Sequence, residues 1–137
     1  MNQKIKELVD RYKEKGDFTY KTITDEQIAE SQILLSVELP VQFIEFLQTY
    51  GHGGIGGVEV LGVGKNSHLL FVEETLKYRE HALPYNLIIV ENCDEWVYCI
   101  DTKDSSVVSW DGKNIKEAYP DFDSYLQGRF TEAIENL

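Results

Sequence analysis

The strongest constraint on the fold lies between Leu87 and Ile115, where short β-prone runs follow one another with little between them. Leu87-Ile88-Ile89-Val90, Trp96-Val97-Tyr98-Cys99-Ile100 and Val107-Val108-Ser109-Trp110 are rich in β-branched and aromatic residues. The links Asn92 to Glu95 and Thr102 to Ser106 are short, which predicts consecutive hairpins. Asp111-Gly112 predicts a further hairpin turn into a short strand at Asn114-Ile115. The middle run is apolar on both sides, with Trp96, Tyr98 and Ile100 alternating with Val97 and Cys99. That pattern predicts a central strand covered on both faces.

Helical periodicity brackets this segment. Ile5, Leu8, Val9 and Tyr12 repeat at i, i+3, i+4 and i+7, with Asn2 as N-cap and Gly16 as the stop. Thr24 and Gln27 have capping-box spacing and open a second helix to about Leu34, whose buried side begins at Ile28. A third opens at Leu39-Pro40 with Pro40 in the first helical position. Phe43, Ile44, Phe46, Leu47 and Tyr50 form its apolar face, and Gly51 ends it. Strand character returns from Gly57 through Val58, Val60 and Val63, and a short helix is predicted from about Val72 to His81, closed by Pro84. Phe122, Tyr125, Leu126, Phe130, Ala133, Ile134 and Leu137 hold one helical face to the end of the chain, begun by Pro120 and Asp121 and weakened by Gly128. Residues 1–137 therefore read as a single α+β domain: a mostly antiparallel twisted meander, packed with N-terminal helices and a closing C-terminal helix.

Charge narrows the partners. Acidic residues number 24 and basic ones 13, for a net charge of -11. The balance disfavours nucleic acid and anionic membranes as direct partners, because both are bound through Lys and Arg. A basic partner fits the charge, and so does simple solubility. Cys93 and Cys99 on one extended stretch would sit roughly 20 Å apart, at about 3.3 Å per residue, too far for a disulfide. They read as reduced thiols of a cytoplasmic protein. The charged Lys4 to Lys15 stretch lacks the apolar centre of a signal peptide, and no apolar run approaches a membrane span.

Catalytic and cofactor motifs are weak. Gly51 to Gly56 matches G-x-G-x-x-G, but it follows a helix and precedes a strand, the reverse of a dinucleotide site. It is expected to be structural, with at least one residue at positive φ. His52, His68 and His81 lack ligand spacing, and no G-x-S-x-G occurs. The acid pairs Glu73-Glu74, Asp94-Glu95 and Asp121 with Asp123 are ordinary in so acidic a chain. No cofactor, no metal and no enzymatic activity is expected, with a small hydrolase using acids or a thiol as the competing reading.

Charge placement says more. Residues 91–137 hold eleven acids and four bases. Glu91, Asp94, Glu95, Asp101, Asp104 and Asp111 fall at strand ends and turns of the meander, where they could form a focused acidic surface. Trp96 and Trp110 sit beside these acids, so an aromatic anchor in an acidic rim competes with plain core packing. These eight residues are the candidate partner-binding set.

Several segments, in order, resemble the SUKH (Smi/Knr) superfamily. They are Leu39-Pro40 with Phe43, Phe46 and Leu47; Tyr50-Gly51-His52-Gly53-Gly54; Gly57 to Gly62; Asn92 to Asp101; Val107-Val108-Ser109-Trp110-Asp111; and Phe122-Tyr125-Leu126. Tyr78-Arg79-Glu80-His81 and Tyr98 to Thr102 look closest to YobK-type members from Bacillus. Tyr-Gly-His-Gly-Gly departs from the commoner Asn-Gly-Gly. The resemblance implies a non-catalytic binding protein: an immunity protein that neutralises a cognate polymorphic toxin, often a nuclease such as an LXG-type ribonuclease. A regulatory scaffold is the alternative within that family, and an edge strand could pair with a second copy.

Overall fold

Five helices and two antiparallel sheets make up the computed structural model, which describes residues 1–137. The helices are α1 (Gln3–Arg11), α2 (Asp25–Leu35), α3 (Val41–Thr49), α4 (Leu70–Arg79) and α5 (Phe122–Glu135). The strands are β1 (Gly16–Phe18), β2 (Gly53–Ile55), β3 (Leu87–Asn92), β4 (Val97–Asp101), β5 (Val107–Trp110) and β6 (Ile115–Tyr119). The meander pairs in sequence order, β3–β4–β5–β6, and β1 pairs with β2. The expected α+β architecture is present, with β4 as an inner strand.

Helix starts follow the sequence signals. Asn2 accepts the Ile5 N–H at 3.0 Å. Thr24 and Gln27 exchange bonds of 3.0 and 3.1 Å, completing the capping box. Asp121 accepts the Ser124 N–H at 2.8 Å, so Pro120 lies just outside α5. Pro40 is the N-cap of α3 rather than its first residue. Gly16 does not stop α1: the helix ends at Arg11, a 3-10 turn covers Lys13–Lys15, and Gly16 opens β1.

The glycine segment holds the main correction. Gly51, Gly53 and Gly56 do have positive φ, but β2 is built from the glycines themselves. Val58, Val60 and Val63 are buried, yet Val60 and Val63 make only isolated bridges, to Gly53 and Leu69. The reason is close approach: a Cβ on Gly53 would stand 1.9 Å from the Asp17 carbonyl oxygen. No side chain fits where β1 crosses β2. Gly128 has a similar role inside α5, since a Cβ there would meet the Tyr119 ring at 2.8 Å.

The meander is covered on both faces. Tyr78 of α4 packs on Trp110, while Tyr125 of α5 packs on Tyr98. Trp110 pairs with Val97, and Tyr98 is the next residue, so α4 and α5 take opposite faces. Phe43, Phe46, Phe71, Phe122 and Tyr125 sit in one continuous core. On the β3 edge, Leu61 donates to the Val90 carbonyl and Thr75 Oγ1 accepts from the Ile89 N–H. The other edge, β6, is open. Ile115, Lys116, Glu117 and Ala118 are exposed there, and its charges blunt strand addition.

Candidate functional site

The eight candidate residues separate into three environments. Glu91 is inside the protein, 3% exposed, and is thereby removed from the solvent-facing rim. Its Oε1 accepts from the Tyr125 hydroxyl at 2.7 Å and from Arg129 Nε at 2.9 Å, and Oε2 accepts from Arg129 Nη2 at 2.6 Å. This two-point pairing raises the affinity of Arg129 for its proton. Burial, with the Glu91 charge second, lifts the Tyr125 phenol well above its ordinary range. The same two causes push the Cys93 thiol up to about 12. Cys99 is fully buried, and burial raises its thiol too. Both shifts run opposite to the lowering that activates a nucleophilic cysteine.

Asp101 and Asp104 lie at the far end of the β4–β5 hairpin and serve its turn. Asp101 Oδ1 accepts from Asn86 Nδ2 at 2.9 Å and from the Lys103 N–H at 3.0 Å. Asp104 Oδ1 accepts from the Ser106 hydroxyl and N–H, which hold its carboxyl below the usual range.

The remaining five converge. Asp94, Glu95, Trp96, Trp110 and Asp111 line one groove of about 350 Å³ at the other end of the sheet. Its opposite wall is α4 and the residues just after it, through Lys77, Tyr78 and His81. Those three were absent from the candidate set. Tyr78 and His81 were signalled only by Tyr78-Arg79-Glu80-His81 in the family resemblance and by the histidine inventory, and Lys77 by nothing. The Trp110 ring, 7% exposed, forms the floor and meets Tyr78 at 6.3 Å and 68°. Trp96 precedes β4 and is 37% exposed, standing edge-on to Tyr98 at 6.2 Å. Trp110 is thus a core residue and Trp96 a partly covered one.

Local bonds fix the walls. Asn92 Nδ2 donates to the Tyr78 hydroxyl at 2.9 Å, and Asn92 Oδ1 accepts from the Asp94 N–H at 2.8 Å. Asn92 thereby ties the β3–β4 turn to α4. Asp94 takes φ +67°, a conformation Asp tolerates better than most residues. Asp111 Oδ1 accepts from the Asn114 and Lys113 N–H groups, which hold its carboxyl below the usual range. No ion pair engages Asp94, Glu95 or Asp111.

A second, polar cavity of about 400 Å³ touches His52 and Glu59. His52 Nδ1 accepts from the Gly62 N–H at 2.9 Å, so its Nε2 carries the proton and faces Glu59 at 3.1 Å. Both ring nitrogens are engaged in holding the glycine segment. No group of three or more His, Cys, Asp or Glu is placed to hold a metal, and no helix is long and apolar enough to cross a membrane.

Comparison with known proteins places this geometry. A solved structure of a protein from Pseudomonas syringae pv. tomato matches 82% of this chain and 90% of its own length. Its identity is 22% and its TM-score 0.64, a likeness of fold. The family model SUKH_5, described as SMI1-KNR4 cell-wall, matches residues 3–131. The chain belongs to the SUKH (SMI1-KNR4) family.

Proposed function

We propose that this chain is a cytoplasmic immunity protein that binds and neutralises a cognate bacterial toxin domain. SUKH membership is consistent with an immunity role. The observation that carries the reading is the groove at one end of the meander, where acids outside any ion pair surround two tryptophans. A toxin that cleaves a polyanion carries basic residues around its active site, and an LXG-type ribonuclease has this chemistry. An acidic inhibitor complements such a surface and gains association rate from long-range attraction. The YobK-like segments favour the same reading. The competing thiol hydrolase is disfavoured by the raised thiols of Cys93 and Cys99.

The test is co-expression with the toxin domain encoded beside this chain, followed by purification of the pair. Rescue of growth together with a stable stoichiometric complex is the expected result. Failure of the purified proteins to associate would overturn the reading.

A further inference from the structure

The groove has chemistry that selects its occupant. Its volume of about 350 Å³ is at the small end of ligand sites, which span about 300–1,000 Å³. It suits one long side chain better than a folded element. The Trp110 and Tyr78 rings meet in its lining, which also includes Trp96, Asp94, Glu95 and Asp111. Lys77 is the one fixed cation on the wall, and it leans on Glu74 at 3.6 Å. An anion would face three carboxylates. An apolar side chain would strip water from those carboxylates and return nothing. A cation satisfies both surfaces, and a planar one does so best, because guanidinium stacks on aromatic faces while its edge forks onto carboxylates.

The same chain shows this arrangement on the opposite face of the sheet. The Arg129 guanidinium lies 5.2 Å from the Tyr98 ring centroid while its nitrogens bond Glu91 at 2.9 and 2.6 Å. Arg79 likewise lies 4.5 Å over Tyr85. In the groove the rings and the acids come from this chain, the Lys77 ammonium lies 5.7 Å from the Tyr78 centroid, and no arginine is among the lining residues.

We propose that the groove between α4 and the β3–β4 and β5–β6 turns is an arginine-binding site, which takes one arginine side chain of the partner protein. This rests on the reading that the groove end of the sheet faces a basic partner. The walls are set before binding by the Asn92 bonds to Tyr78 and Asp94, so little ordering is needed when the arginine enters.

The experiment titrates the full chain with the tripeptide Gly-Arg-Gly, capped at both ends. The indole N–H signals of Trp96 and Trp110 are followed by NMR. Capped Gly-citrulline-Gly and Gly-Lys-Gly are the controls. Saturable shifts of both indoles with the arginine peptide are expected, weaker ones with lysine, and none with citrulline, which has the same shape without the charge. The double change Asp94→Asn with Glu95→Gln should weaken binding about 2- to 30-fold. Asn is at ease at the positive φ of position 94, so an unchanged denaturation midpoint is expected and is measured alongside. Equal binding of lysine or citrulline overturns the proposal, as does absence of any indole shift. The two readings separate in co-expression. Growth rescue by the wild-type chain without peptide binding removes the arginine site and leaves the immunity role. Peptide binding without rescue does the reverse.

Discussion

Glu91 and Asp94 are three residues apart, and the fold uses them in opposite ways. Glu91 is enclosed, bonded to Tyr125 and Arg129. Asp94 is exposed on a turn and makes no ion pair. The difference comes from one residue of register. Ile89 pairs with Cys99, but Glu91, not Val90, pairs with Tyr98. Regular alternation would put Glu91 opposite Val97 on the α4 face, beside the groove. The bulge at Val90 moves it to the α5 face, where Arg129 lies. Acids of one short segment thus divide into a structural pair and a free rim, and perturbing each should give a different signature.

The largest effect is expected from breaking the interior pair. Arg129→Met leaves the Glu91 charge buried and should destabilise by about 3–5 kcal/mol. Adding Glu91→Gln should restore part of the loss, because it removes the buried charge and keeps an acceptor for the Tyr125 hydroxyl. Urea midpoints of the two variants decide it, and equal midpoints would mean that water reaches Glu91. Leu126→Ala, at a fully buried α5 position, should cost about 2–5 kcal/mol. A midpoint unchanged by that substitution would detach α5 from the core.

Two further predictions contrast interior with turn. Burial raises the Tyr125 and Cys93 groups, and it raises the Tyr50 phenol to about 12. Raised acids favour the protonated native state. Their contribution is therefore fully present below the unfolded values of 9.0 for thiol and 10.0 for phenol, and declines as pH rises above them. Asp111, Asp104 and Asp121 are lowered, so their contribution is present above 3.8 and lost as pH falls further. Denaturant midpoints should fall below the lower limit and above the upper one, and Cys93→Ser should delay the alkaline decline. A loss of more than about 1 kcal/mol is also expected for Gly53→Val, where a Cβ would meet the Asp17 carbonyl oxygen. The change should also part β1 from β2, visible as faster amide exchange at Phe18.

Much of the fold was legible because local signals coincide with it. Asn2, Thr24 and Asp121 cap the helices their positions suggest, and the β-prone runs of the meander pair in order. What was not legible depends on contacts between distant residues. The β1–β2 sheet joins three residues near the start to a glycine run that reads as a turn, because nothing local shows that backbone will cross there. The bulge at Val90 hid the burial of Glu91. Tyr125 and Arg129, spaced i and i+4 on α5, were the available hint that a base shares the apolar face. Of the candidate site, the turn acids and tryptophans were visible as composition near strand ends. Their division between two ends of the sheet, and the α4 wall of the groove, required the packing.

The smallest effect on stability, and the largest on encounter, is expected at the rim. Asp94→Asn with Glu95→Lys changes three charge units at exposed positions, and should move folding stability by no more than about 0.5 kcal/mol. Asn is chosen at position 94 because Lys at φ +67° would add backbone strain. Long-range attraction sets the rate at which an acidic inhibitor meets a basic toxin, and short contacts set how long the pair lasts. Association with the cognate toxin should therefore slow about threefold to tenfold at low salt and become nearly independent of salt. Trp96→Ala should act on the other rate. It removes a partly exposed side chain from a residue that lines the groove, and dissociation should quicken by about 30-fold, equivalent to ~2 kcal/mol, with association little changed. Stopped-flow kinetics at two salt concentrations separate the two variants. If the charge variant keeps both its rate and its salt dependence, the groove acids are only a solvated face, and the contact surface moves to the exposed side of α1, where Lys4, Lys6 and Glu7 face solvent.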